Sequence, residues 1–334
     1  MRSAFVRSIR WTVIFFSMCC SLVFVCGWIL HLTVRDTYRS IALLFYVTPL
    51  VILCGQGALA SIGWLMLGKR RLAKCFAIAT TASIVLLAFY TFRLGPTPIS
   101  HSDGLRILYW NTAGGQMGWD GVLKSIESEN PDIIAAVEGG LNHQIWKVMF
   151  PNYEQTDISG QIVLLSRLPI QQIGTCRITD SGIFKRICVT YDDQPLQIVA
   201  VDIASNPFAN RREIFERLAD HIESWNDQPL LVVGDFNTTN DSVHVQRLSK
   251  YLQNAFDTAG KGYTATWPLP VPLIQIDYAW HNHLVEVNSC RYGWNPYSDH
   301  RPILLNISRS MITPEESDKS NQSLLIETST HTRR

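Results

Sequence analysis

Three apolar runs crowd the first hundred residues of this chain, and no ordinary water-soluble core explains three in a row. Trp11 to Leu32 is almost uncharged and long enough to cross a bilayer. So is Ile41 to Leu67, in which Gly55, Gly57 and Gly63 point to close helix packing. Cys75 to Phe92 is shorter but adequate. A cleaved signal peptide would be a single short apolar run ending at small residues. The pattern predicts a membrane domain of three transmembrane helices over residues 1–92 and a linker over 93–104, built on Gly95-Pro96-Thr97-Pro98. A second folded domain is expected over 105–309, and a polar, disordered tail over 310–334.

Basic residues set the orientation. Arg2, Arg7 and Arg10 precede the first run, and Lys69, Arg70, Arg71 and Lys74 lie between the second and third. The first connecting loop has only Arg35 and Arg39, offset in part by Asp36. Both basic clusters are expected in the cytoplasm, which puts the chain after Phe92 in a periplasm or extracellular space. The charge divides along the same line. Of 29 Lys+Arg and 28 Asp+Glu, residues 1–92 hold 9 basic and 1 acidic, leaving 20 and 27, a net of −7, for the remainder. An acidic outer domain disfavours non-specific binding to a DNA backbone, which needs basic stripes. It does not exclude a nuclease, because a divalent metal supplies positive charge locally.

Five of the eight Cys lie in the apolar runs, where a thiol is a small apolar group. Cys176 and Cys188 flank a turn at Asp180-Ser181-Gly182, so they are either a facing disulfide pair or two buried thiols. The scattered spacing argues against a zinc cage.

From Leu105 the pattern turns to strands and helices. Strands are expected over 105–109, 132–137, 161–165, 184–191, 196–203, 230–233, 274–280 and 303–307, and helices over 120–129, 210–225 and 241–252. The 210–225 segment is strongly amphipathic, with Ile214, Leu218 and Ile222 on one face. Such an order suggests two sheets packed face to face with helices outside.

Five of these strands end in an acid, an amide or an imidazole: Trp110-Asn111, Val137-Glu138, Gly234-Asp235-Phe236-Asn237, Ile276-Asp277 and, just before a strand, Ser298-Asp299-His300. That is how a rigid sheet presents a polar site at one edge. Asp235 can orient or deprotonate a water, and Asn237, two residues on, can donate to a phosphate oxygen; the alternative is an Asx turn closing the strand. Glu138, beside Gly139-Gly140, is open to solvent or to a hard divalent ion such as Mg²⁺. Asn111 can bind that metal or its water, or simply form a turn before Gly114-Gly115. Asp277 can fix the tautomer of His300, and Asp299 is a further metal ligand candidate.

This ordered set, Trp-Asn, Glu, Gly-Asp-Phe-Asn, Ile-Asp-Tyr and Ser-Asp-His-Arg-Pro, resembles the endonuclease/exonuclease/phosphatase (DNase I-like) superfamily over about Leu105 to Ile307. Thr266-Trp267-Pro268 resembles a recurring stretch of the same family. The resemblance implies an α+β fold, a four-layer αββα sandwich, here preceded by three transmembrane helices. It implies one or two Mg²⁺ ions, with Mn²⁺ as a substitute, and hydrolysis of a phosphoester. By position, Asn111 and Glu138 resemble the primary metal site and Asp299 a further ligand. Asp235 resembles the residue that aligns water, Asn237 a phosphate contact, and Asp277 with His300 the Asp-His pair. One departure stands out: where many members carry a His, this chain has Asp202, and Arg211 or Arg212 is then a candidate source of positive charge for the phosphate.

The expected function is a membrane-anchored, Mg²⁺-dependent phosphoesterase acting on a phosphodiester such as a phospholipid head group. The apolar loop Trp267 to Pro272 favours a lipid unless it packs on its own core. The alternatives are an extracytoplasmic nuclease and a non-catalytic membrane sensor with a phosphate-binding domain, in which Asp202 marks a decayed site.

Overall fold

The computed structural model describes residues 2–95, 104–140, 143–156 and 161–309. Most of the expected linker and all of the expected tail lie outside these residues. The chain opens with helices α1 (Arg2–Leu32), α2 (Arg39–Val47), α3 (Leu50–Met66) and α4 (Arg70–Thr91). Within α1, Phe5–Leu32 has a mean hydropathy of 2.5, and α4 reaches 2.0, so both are long and apolar enough to span a membrane. The middle run is not one straight helix. α2 and α3 are bent by 63° at Thr48-Pro49, so the described residues hold two helices long and apolar enough to cross a membrane, or three if the bent pair counts as one. Pro49 is the cause: it lacks an N–H and disfavours helical backbone at the residue before it. Gly63 lets α3 approach α1, since a Cβ there would lie 2.0 Å from Ser17 Oγ. Gly57 does the same against Phe24, whereas Gly55 meets nothing.

The second part of the chain comprises β1 (Phe92–Arg93), β2 (Leu105–Asn111), α5 (Trp119–Glu129), β3 (Ile133–Val137), α6 (His143–Met149), β4 (Glu154–Gln155) and β5 (Val163–Ser166). It continues with β6 (Ile170–Thr179), β7 (Gly182–Tyr191), β8 (Gln194–Ile203), α7 (Arg211–Glu223), β9 (Leu230–Asp235), β10 (Gln253–Asn254) and α8 (Ala255–Ala259). The last strands are β11 (Gly262–Tyr263), β12 (Asp277–His281), β13 (Val285–Tyr292) and β14 (Ile303–Arg309). Two six-stranded sheets result, in the orders β13-β14-β2-β3-β5-β4 and β10-β12-β9-β8-β7-β6. Each contains one parallel pair, β2/β3 in the first and β8/β9 in the second, and is otherwise antiparallel.

Strand side chains alternate between faces, and each sheet is buried on both. Ile107, Tyr109, Ile133 and Val137 of the first sheet meet Ile198, Ala200, Leu231 and Val233 of the second in the central core. The other face of the first sheet packs Leu108, Trp110 and Ile134 against Val122, Leu123 and Ile126 of α5. The outer face of the second sheet packs Val199, Val201 and Val232 against Ile214, Phe215, Leu218 and Ile222 of α7. The order of layers is therefore α, β, β, α, as expected. Each such aliphatic side chain contributes roughly 1.5–3 kcal/mol on full burial.

Several local expectations change. The 241–252 segment forms only a 3-10 helix at Val245–Lys250. Asp120 lies in the first turn of α5, with Gly118 at the cap. Cys176 pairs in register with Phe184 and Cys188 with Gln172, so the two thiols do not face each other, and both are free.

Candidate active site

The two parallel pairs put the ends of four strands on one rim. β8, β9 and β12 are neighbours, and their register aligns Asp202 with Asp235 and Asp235 with Asp277, three carboxylates in a row across the sheet. Gly234 permits this closeness, since a Cβ there would lie 2.3 Å from the Val201 carbonyl oxygen. The facing sheet supplies Asn111 and Glu138 from the ends of β2 and β3. Glu138 and Asn237 both take left-handed backbone, at φ 50° and 45°, so the chain turns sharply just as each strand ends.

Hydrogen bonds lock these groups together. Asp277 is fully buried, and its Oδ2 lies 2.9 Å from His300 Nδ1 while its Oδ1 accepts from the Tyr109 hydroxyl at 2.9 Å. The Asn111 amide donates to Glu138 Oε1 at 3.0 Å and to Asp235 Oδ2 at 2.9 Å, and its oxygen accepts from the Ala113 N–H. Asn111 thus bridges the carboxylates of the two sheets. Asp235 Oδ1 accepts from the Asn237 N–H at 2.8 Å, and the Asn237 amide donates to the Ile203 carbonyl at 2.7 Å. This is the Asx turn; it leaves Asn237 on the wall of the cavity. Trp267 holds Asp299 Oδ2 at 2.9 Å, and Trp110 donates to the His300 carbonyl at 2.8 Å.

The electrostatics follow from burial and crowding. Burial, then the like charge of Asp277, pushes the Asp235 carboxyl well above the usual range. Burial acts to lower His300, but Asp277, with Asp235 and Asp299 behind it, outweighs that and lifts the imidazole to about 10, so it is cationic at neutral pH. Burial and then Glu138 raise Asp202 to about 6.

Glu138, Asp235, Asn237, Asp299 and His300 line one cavity of about 350 Å³. Asn111, Asp202 and Asp277 adjoin these residues but do not line the cavity. Two further residues enter it. Arg211 is buried; its Nη2 donates to the Ala204 and Asn206 carbonyls and the Tyr46 hydroxyl lies beside the guanidinium, whereas Nε and Nη1 make no well-formed hydrogen bond. Arg212 instead faces solvent and pairs with Glu216 at 2.9 Å. Tyr46, from α2, reaches the same cavity. Nothing in a sequence pattern signals that a tyrosine of the apolar N-terminal segment reaches this site. Tyr109 was also not signalled, though its place two residues before Asn111 puts both side chains on one face.

The donor set suits a hard divalent cation. Asp235, Asp277 and His300 bring one polar atom each within 4.8 Å of the others, but the cationic imidazole, bonded through Nδ1 to Asp277, has no lone pair for a metal, so the donors here are the carboxylates. Next to them Asp299 Oδ1 is buried without a hydrogen-bond partner, 4.0 Å from His300 Nε2. Converging carboxylate oxygens with one left unsatisfied fit such an ion.

A DNase I-like double sheet whose strand ends converge on acids, an amide and a cationic imidazole defines a phosphoester hydrolase. The chain matches the Endonuclease/Exonuclease/phosphatase family over residues 108–300 and belongs to that family, whose members are typically Mg-dependent phosphoesterases. No curated protein sequence matches it. Among solved structures, an endonuclease/exonuclease/phosphatase from Bacteroides vulgatus is 16% identical with a TM-score of 0.52, covering 63% of this chain and 100% of that one. The mannosyl-6-phosphatase of Bacteroides thetaiotaomicron is 12% identical, TM-score 0.51, covering 61% and 99%. The human Nocturnin catalytic domain with bound sulfate is 18% identical, TM-score 0.51, covering 65% and 97%. At such identities the likeness is one of fold.

Proposed function

We propose that this protein is a membrane-anchored, divalent-metal-dependent phosphoesterase that hydrolyses a phosphodiester of the lipid head-group kind. Residues 1–92 serve as the anchor, 93–104 as the linker and 105–309 as the catalytic domain, which faces the outside of the cytoplasmic membrane. The reading is carried by one observation: four carboxylates, an imidazolium and a half-paired guanidinium converge on one rim, beside a wall supplied by a helix of the apolar N-terminal segment.

Glu138 and Asp299 would hold the cation, with Asn111 orienting Glu138. When bound, a divalent ion offsets phosphate charge and stabilises the leaving oxygen. Asp235 aligns a water for in-line attack, helped by its two hydrogen bonds from Asn111 and Asn237. Asn237 and the Nε2–H of His300 donate to non-bridging oxygens. Asp277 keeps His300 cationic and fixed in direction, so the imidazole acts as a charged donor. Arg211, on the wall of the same cavity, supplies positive charge to the phosphate in a chain that carries Asp202 where many family members place a His. Arg212, which faces away, takes no part.

The test is metal-dependent release of nitrophenolate from bis-(p-nitrophenyl) phosphate by full-length protein in detergent, with Mg²⁺, Mn²⁺ or EDTA, beside Asp235→Ala. Release that needs metal and is lost in the variant supports the reading. Release that survives Asp235→Ala refutes it. A strong preference for the monoester would make the enzyme a phosphatase, the activity named for the mannosyl-6-phosphatase of like fold. Cleavage of DNA with none of a lipid diester would select the nuclease.

A further inference from the structure

The helical bundle ends where the catalytic cavity begins. The C-terminal end of α1, the N-terminal end of α3 and the C-terminal end of α4 all meet the catalytic domain around a narrow slot of about 60 Å³. Phe45, Leu50 and Leu87 form the apolar part of its helical wall, Leu273 and Ile274, just after the Trp267 loop, the apolar part of its catalytic wall, and the paired His31 and Asp241 close one side. Tyr46, Thr239 and Ile274 line both this slot and the catalytic cavity, so the two spaces adjoin.

The bend at Thr48-Pro49 creates the slot. It carries α2 off the axis of α3 by 63° and lays Phe45 and Tyr46 against the catalytic domain. Hydrogen bonds fix that placement. Asp36 Oδ1 accepts from the Val243 N–H at 3.0 Å, and its Oδ2 accepts from the Tyr46 hydroxyl at 2.8 Å and from the Ser242 hydroxyl. His31 pairs with Asp241 at 2.9 Å through one ring nitrogen and lies 2.8 Å from the Thr48 carbonyl through the other. Loop 239–246 follows directly on Asn237, so the bundle grips the catalytic rim itself. Ile52, Leu86 and Phe89, exposed on the same ends of α3 and α4, continue the apolar path outside the slot.

We propose that this slot takes the hydrocarbon chain of an amphiphilic phosphoester whose phosphate sits at Asp235, Arg211 and His300. The inference rests on the phosphoesterase reading above and specifies the substrate class. A slot with apolar walls at the level where the helices end, opening beside the cavity of about 350 Å³ that holds Asp235, Arg211 and His300, matches a ligand with a polar ester at one end and methylenes at the other. A sugar phosphate or a nucleic acid has no apolar segment to fill it. Each methylene withdrawn from water strengthens binding by roughly fourfold, up to the length the slot and its apolar continuation can hold.

The test uses full-length protein and a series of alkyl p-nitrophenyl phosphates, from ethyl to dodecyl, kept below their micelle concentrations. All release the same chromophore, so head-group preference drops out. The quantity read is the dodecyl-to-ethyl ratio of kcat/KM, which also cancels losses of folded protein. The wild-type ratio is expected to exceed about tenfold, and to fall toward one in Leu50→Trp and in Leu273→Trp, each of which fills the slot from a different wall. A wild-type ratio near one, or a ratio unchanged in both variants, overturns the proposal while leaving the phosphoesterase reading intact. No metal-dependent release from any ester in the series, the ethyl one included, removes the phosphoesterase reading and the slot with it.

Discussion

Tyr109 on the first sheet donates its hydroxyl to Asp277 on the second, at 2.9 Å, so one buried hydrogen bond ties the two halves of the sandwich at the catalytic pair. Burial, then Asp277 and Asp235, hold the Tyr109 phenol protonated, which keeps it a donor. Tyr109→Phe leaves Asp277 Oδ1 buried without that partner. The variant should lose roughly 1–3 kcal/mol of stability and about tenfold in kcat, because His300 is then less firmly aimed. His300→Ala should cost on the order of a hundredfold or more in kcat. Thermal unfolding in EDTA and steady-state rates check both, and a Tyr109→Phe protein equal to wild type in each would refute the coupling.

Arg211 and Arg212 are neighbours in sequence and opposites in the fold. Arg211 is 4% exposed, with two nitrogens at the cavity that make no well-formed hydrogen bond, whereas Arg212 pairs with Glu216 in solvent. Arg211→Met should raise KM for a diester by roughly ten- to a hundredfold, the loss of a charge-assisted contact. Arg212→Ala should stay within about twofold, as for other exposed ion pairs. Equal losses in the two variants would mean that net charge, not contact, draws the substrate.

The candidate site was legible as a set of converging residues because they sit at strand ends, where a period of two and a sudden acid or amide stand out. Asp235, Asn237, Asp277, Glu138, Asp299 and His300 were readable in this way, as were the layers, since α5 and α7 announce their apolar faces. Three things were hidden. β6 and β13 escaped because their side chains are largely exposed or half-buried, which blurs the apolar alternation that marks a strand. The choice of Arg211 over Arg212 depends on which way the first turn of α7 faces. Tyr46 and Asp36 read as apolar-helix and loop residues, because only the fold brings Asp36 206 positions along the chain to Ser242 and Tyr46 to the cavity. Contacts that distant leave no local pattern.

The seam between bundle and catalytic domain should depend on pH through His244. Burial pushes this imidazole below its ordinary value; its Nε2 lies 3.0 Å from the Asp36 carbonyl, and its Nδ1 is buried without a partner. A histidine whose folded pKa is depressed leaves the unfolded chain binding more protons. Its contribution to stability is therefore complete above the ordinary value of 6.5 and is lost as pH falls below it. Wild-type protein should lose thermal stability between neutrality and mildly acidic pH more steeply than His244→Gln, which keeps an amide donor for Asp36 but does not titrate. Parallel pH profiles for the two proteins would show that His244 is not the sensor.

Asp202 offers the sharpest contrast between stability and function. It lies in register beside Asp235, and burial followed by Glu138 raises its carboxyl from 3.8 to about 6. Here the folded protein binds more protons than the unfolded chain across that window. The penalty is absent at low pH, grows as pH rises from about 4 to about 6, and is complete at neutrality. Asp202→Asn removes it, so in EDTA the variant should be more stable than wild type by roughly 2–3 kcal/mol at pH 7 and no more stable at pH 4. Added Mg²⁺ should narrow the gap, because a bound cation offsets the same crowding of negative charge. Hydrolysis is the counterweight. If Asp202 supports the cation, the more stable Asn variant should need more Mg²⁺ for half-maximal activity. A variant that gains stability in EDTA with no change in Mg²⁺ requirement would place Asp202 outside the metal's reach.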